Sequence, residues 1–336
     1  MNILRLTTDY FCELYGATID GWNRFWFTPA DPATLGLIRL LAGAMIFYTH
    51  LVWTLDLEGF MGPQSRISPA FARGFHNSDW AWSHLFWIES PAVLWTVHIL
   101  ALIALAMFML GLFTRITSVL ALLIVVAYAH RVPGALFGLD QINGLLALYL
   151  MIGPSGAAYS LDNLLRRRGT RDEGRGTRDA DFRAPHPAPL APRFTSANIA
   201  IRLIQVHMCI VYLFAGFGKL LGESWWAGTA MWGALGNYEY QSLDMTWLAA
   251  WPLVINFLSH LTIVWECSYC VFVWPRLTRS IVIALAVPLH LGIAFCMGMI
   301  TFGLIMLVGN LAFVSPNLVR AVIDPLLPYK PESPAK

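Results

Sequence analysis

Between Ser280 and Val314 the chain runs for 35 residues without a single Asp, Glu, Lys or Arg. One helix crosses the hydrocarbon core of a bilayer with about 20 apolar residues. The stretch is therefore too long for one crossing and just long enough for two short ones, joined near Cys296–Met299. Similar runs occupy Leu35–Trp53, Ala92–Leu112, Ile116–His130, Ala135–Gly153, Ala197–Leu221 and Trp247–Trp274. The sequence thus predicts an all-α polytopic membrane protein with about eight transmembrane helices. Only 12% of its 336 residues are charged, against roughly 25% in soluble domains. That scarcity excludes a cytosolic globular enzyme and a disordered scaffold. A net charge of +2 leaves no basic stripe for a nucleic-acid backbone.

Orientation follows from the bias of Lys and Arg toward cytoplasmic loops. Seven arginines lie between Arg166 and Arg183, and placing that segment inside sets every other loop by alternation. Arg5, Arg24, Arg115, Arg276, Arg279, Arg320 and Lys330 then also fall inside, and both termini are expected in the cytoplasm. Residues 163–194, with a repeated Arg-Gly-Thr-Arg-Asp and four prolines close behind it, read as a disordered linker between two four-helix halves. Residues 1–28 read as an amphipathic interfacial segment carrying Trp22, Phe25, Trp26 and Phe27. Residues 29–316 form the transmembrane domain, and 317–336 a cytoplasmic tail.

Charged groups at membrane depth are costly and mark paired or functional positions. Arg39, Arg202 and Glu266 fall toward the inner side, where the simplest expectation is an internal ion pair or triad. The outer half gathers Lys219, His290, Asp140, Gln141 and Asn143, with Trp225 and Trp226 just beyond Lys219. Each has a plain structural alternative. Lys219 can snorkel to the interface over Trp225, His290 can bond a carbonyl freed by Pro288, and Asp140 can cap its helix. The functional alternative is a lysine that loses hydration of its ammonium form and serves as a general base, beside a pocket for a hydrophobic ring compound. The five cysteines are scattered, and no metal site is expected.

The stretch Tyr212-x-x-Ala215-Gly216-x-x-Lys219-Leu220, followed by Trp225, Trp226, Gly228 and Met231, resembles the membrane domain of vitamin K-dependent γ-glutamyl carboxylase. It also resembles bacterial relatives grouped as the HTTM (horizontally transferred transmembrane) family. Asp31-Pro32 with Leu37-x-Arg39, Tyr159-Ser-Leu-Asp162 and Pro288-Leu-His290 agree in the same order. The resemblance implies a lysine base at Lys219, assisted by His290, acting on a reduced quinone with oxygen and carbon dioxide. It also implies a bacterial inner membrane with the site on the outer face. Leu139 stands where the carboxylase has a histidine, and the carboxylase's large lumenal domain has no counterpart here, so protein γ-carboxylation is not expected. The expected partners are membrane lipids and a hydrophobic small molecule. A non-enzymatic lipid- or partner-binding subunit is the alternative, and a transporter the third.

Overall fold

A computed structural model describes residues 3–78, 80–166 and 192–327. Most of the expected linker, and the tail from residue 328, lie outside the described residues. Among the described residues the fold is all-helical, with a single isolated bridge between Ala30 and Phe194. The principal helices are α1 (Ile3–Phe27), α2 (Ala33–Trp53), α3 (Pro91–Leu110), α4 (Thr114–Arg131) and α5 (Gly138–Ile152). They continue as α6 (Thr195–Leu220), α7 (Pro252–Phe272), α8 (Arg276–Cys296), α9 (Ile300–Asn310) and α10 (Pro316–Ile323).

Among the described residues six helices are long and apolar enough to cross a membrane, or seven if a bent pair counts as one span. The expected count of about eight would need two shorter helices to cross as well. Helix α5 has 15 residues and α9 has 11, or about 22 and 16 Å at 1.5 Å per residue, against a core of about 30 Å. The uncharged run does break after Cys296, but its second piece ends at Phe313 and turns by 117° into the segment from Pro316.

Helix α3 shows why this architecture belongs in lipid. It buries Leu94, His98, Ala101, Leu105 and Phe108, one stripe at spacings of four, three, four and three. Its remaining surface is apolar too, with Val93, Ile99, Leu100 and Ile103 exposed. The polar residue His98 points inward and the hydrocarbon faces out, the reverse of a soluble helix.

The first helices pack α2 on α3 and α5, and α4 on α3 and α5. In the second half α6 packs on α7, and α8 on α9. A continuous apolar cluster, including Ile38, Phe108, Leu146, Ile204 and Ile305, runs through both halves. The basic linker interrupts the sequence but not the core.

Three polar ties fasten the ends of the helices. Arg131, fully buried, donates to Gly62 O, Ile67 O and Ser65 Oγ and anchors the long segment before α3. Asp162 accepts from Phe113 N, Thr114 N and Thr114 Oγ1 at 2.7–2.8 Å, capping α4 from outside it. Burial pushes the Asp162 carboxyl up, but the Thr114 and Phe113 hydrogen bonds and nearby Arg39 hold it below its ordinary value. Asp162→Ala is expected to cost about 1–2 kcal/mol, read as a lower unfolding temperature of the purified protein.

Asp31 receives a two-pronged bond from Arg320, Nε to Oδ2 at 2.7 Å and Nη2 to Oδ1 at 2.8 Å, which clamps α10 to the start of α2. Burial pushes the Asp31 carboxyl up, but Arg320 and the Ala33 amide outweigh it and keep it below its ordinary value. A depressed folded value means the contribution is complete at neutral pH and is lost as pH falls through that value. Asp31→Asn is therefore expected to remove about 1 kcal/mol at pH 7, discounted for partial exposure, and progressively less as pH falls through the carboxyl's depressed folded value. Thermal unfolding of both forms across pH checks the sign.

Candidate functional site

The expected Arg39–Arg202–Glu266 set does not form. Arg39 is fully buried and donates through Nη2 to Tyr159 O. Arg202 donates to Phe25 O at 3.2 Å and to Gln205 Oε1 at 2.9 Å, with its guanidinium 4.4 Å above the Phe25 ring. Asn198 donates to Phe25 O and Trp26 O as well. These donors fill carbonyls at the C-terminal end of α1, which a helix leaves unsatisfied, and a cation there suits the dipole.

Glu266 instead pairs with Lys219. The ammonium donates to Oε1 at 2.9 Å and lies 2.7 Å from Oε2, the second contact being ionic without hydrogen-bond alignment. Their side chains are 8% and 24% exposed respectively. The Trp225 ring centroid is 5.3 Å from Nζ, within cation–π range. Trp226, mostly exposed, donates to Leu220 O at 2.7 Å and closes the turn after α6.

Counting depth by equal spans put Glu266 on the inner side. Helix α7 packs on α6 and its N-terminal part is also tied to the loop that follows α6. Asn256 donates to Ala227 O and Ser259 to Gly228 O, so the N-terminal part of α7 packs under the loop after Trp226. Gly216 then lies against Cys267, where a Cβ would come within 2.7 Å of its Sγ and 3.2 Å of Glu266 Cβ. The missing side chain brings the two helices together and sets Glu266 beside Lys219.

His290 meets Tyr212, not Lys219. Tyr269 Oη donates to Asn310 Oδ1, Asn310 Nδ2 donates to Tyr212 Oη, each at 2.7 Å, and Tyr212 Oη lies 2.6 Å from His290 Nε2. With Asn310 supplying the Tyr212 oxygen, the Tyr212 proton goes to Nε2. The His290 proton is thereby assigned to Nδ1, which is buried without a protein partner. Tyr212, Gly216 and Lys219 stand at i, i+4 and i+7, on one face of α6. The sequence reading missed Tyr269, Asn310 and the bond to Tyr212. An amide inside the uncharged run, Asn310, was the available signal.

The structure does not bring Asp140 and Asn143 to Lys219. They line a separate recess with His50, Trp53 and Tyr128, between α2, α4 and α5. Asp140 accepts from Phe137 N at 3.1 Å, capping α5 as its plain alternative held. Gln141 faces outward, exposed. Deep beside this recess, Tyr128 Oη is bonded to His98 Nδ1 at 2.7 Å, and His98 Nε2 to Thr54 Oγ1 at 2.9 Å.

Compared with known proteins, the chain matches no family model, no curated protein and no solved structure.

Proposed function

We propose that the protein is a carboxylase-like membrane enzyme that deprotonates a quinol-like or similar hydroxylated ring compound for reaction with oxygen. The observation that carries this reading is the Lys219–Glu266 pair, an ammonium and a carboxylate held together at membrane depth beside Trp225. An ion pair is not required for stability at such a place, since apolar residues of similar volume serve as well.

The pair also revises the role of the lysine from a lone neutral base to one half of a dyad. Lys219, the more exposed partner, meets a molecule arriving from the bilayer. The substrate O–H bond breaks, its proton passes to the Glu266 carboxylate, and the new phenolate stays with the Lys219 ammonium, so total charge is unchanged. Stabilisation of a developing oxyanion by a preset cation in a water-poor site is the largest contribution this geometry can make. Tyr212, further along α6, and His290 on α8 act as a hydrogen-bonded support. Oxygen is the co-substrate of this reading. Carbon dioxide is left out of it, because Leu139 provides no imidazole.

The reading includes eight membrane segments, with α5 and α9 as short crossings, α1 lying in the interface, both termini inside and Lys219 facing outward in a bacterial inner membrane. Its test is turnover of reduced naphthoquinone by the purified protein in air, with oxidised or epoxide product measured. Glu266→Gln and Lys219→Met are expected to lose at least about 100-fold in rate. Unchanged turnover in a folded variant sinks the proposal.

A second reading, a lipid-binding subunit without chemistry, is favoured by one observation. A recess with polar groups in its lining lies at Asp140 and Asn143, away from Lys219. A co-purified lipid with no turnover would decide for it.

A further inference from the structure

The recess between α2, α4 and α5 is lined by residues carrying two buried acceptor atoms that no protein donor reaches. His50 is 5% exposed and Asn143 2% exposed. His50 Nδ1 lies 2.8 Å from Ile46 O, and a carbonyl only accepts, so the His50 proton sits on Nδ1. Its Nε2 is left as a bare acceptor, buried and with no protein partner. Asn143 Oδ1 is a second buried acceptor with no protein partner. Asp140 adds a carboxylate that takes part in no ion pair among the described residues. Tyr128 and Trp53 contribute aromatic surface. The recess measures about 310 Å³ counting its open mouth, and its base has room for a group the size of one water.

From this lining we infer that the recess is a binding site for a primary ammonium group. Three acceptors and one uncompensated negative charge fit three N–H donors on a single positive nitrogen, and aromatic faces add attraction for a cation. The other candidates fit less well. An anion meets the Asp140 carboxylate and two bare acceptor atoms, a repulsion that the Asn143 amide N–H groups alone do not offset. A water or hydroxyl has too few protons for three acceptors and leaves the carboxylate charge uncompensated. Alkali and alkaline-earth ions prefer all-oxygen shells, whereas here an imidazole nitrogen is one of the three groups. The same chemistry has two sources, the headgroup of a phosphatidylethanolamine-type lipid reaching in through the mouth, or a free amine from solution.

The test uses the full chain in phosphatidylcholine nanodiscs, whose headgroup nitrogen carries no N–H. Ethanolamine hydrochloride and ammonium chloride should each raise the unfolding temperature saturably. Tetramethylammonium chloride and sodium chloride at the same concentrations should not. Asp140→Asn keeps an oxygen for the Phe137 amide but removes the charge, and Asn143→Leu removes the buried acceptor at similar volume. Each should weaken ethanolamine binding by about tenfold or more. An equal shift with tetramethylammonium or sodium, no saturable shift at all, or unchanged ethanolamine affinity in both variants overturns the proposal. Repeating the titration in phosphatidylethanolamine nanodiscs assigns the source. A lost response to ethanolamine identifies the lipid headgroup, and a retained response identifies the free amine, both upholding the site.

Discussion

Lys219→Met is expected to destabilise the protein by about 3–5 kcal/mol, measured as a lower unfolding temperature or denaturant midpoint in detergent. The cost comes from what remains. Glu266 keeps its carboxylate at 8% side-chain exposure, and Lys219 is the only cation paired with it among the described residues. Glu266→Leu should cost less, because the Lys219 ammonium is more exposed and can turn outward over Trp225. The double variant Lys219→Met with Glu266→Leu should recover most of the lost stability, since an apolar pair leaves no unbalanced charge. Turnover should not recover. That split separates a pair retained for chemistry from one retained for folding. If the double variant is as unstable as Lys219→Met alone, the charge argument fails and local packing is responsible.

Element boundaries were largely legible because the chain punctuates them. Ser90-Pro91 starts α3 and Gly111 ends it, within two residues of the run read from hydropathy. Pro252 opens α7 at its first turn, whereas the apolar residues Trp247–Trp251 before it mostly belong to a separate short turn. Hydropathy could not distinguish these, since both are equally apolar. The prominence of Lys219 was also legible, because charge is rare enough in this chain for a single lysine at a helix end to stand out.

Pairing was not legible. Depth along each span was counted as if neighbouring helices start level, and Glu266 was therefore grouped with Arg39 and Arg202. Their true partners are backbone carbonyls, Tyr159 O for Arg39 and Phe25 O for Arg202, which no charge pattern reveals. The outer cluster was likewise one group in projection but is dispersed in space, with His290 on Tyr212 and Gln141 exposed. Asp140 and Asn143 turn toward α2 and α4, and Lys219 turns toward α7. One helical residue step rotates a side chain by about 100°, and the sequence carries no record of which neighbour lies at that angle.

Gly216→Ala tests the contact on which the Lys219–Glu266 pair depends, and it should act on function beyond its effect on stability. The added Cβ would stand 2.7 Å from Cys267 Sγ and 3.0 Å from Cys267 N. The sulfur can rotate away, but the backbone nitrogen cannot, so α6 and α7 must separate. Overpacking of this kind costs about 1–3 kcal/mol, and small residues at such crossings are what let membrane helices approach closely. The same displacement moves Glu266 away from Lys219, and positioning errors of about 1 Å cost on the order of 100-fold in rate. Turnover should therefore fall far more than the stability loss explains. Adding Cys267→Ala removes the sulfur contact and should return part of the stability, while the contact with the Cys267 amide nitrogen persists and keeps the rate low. A Gly216→Ala protein that is destabilised yet turns over normally would mean that the chemistry does not use the α6–α7 pair, and would move attention to the recess at Asp140 and Asn143.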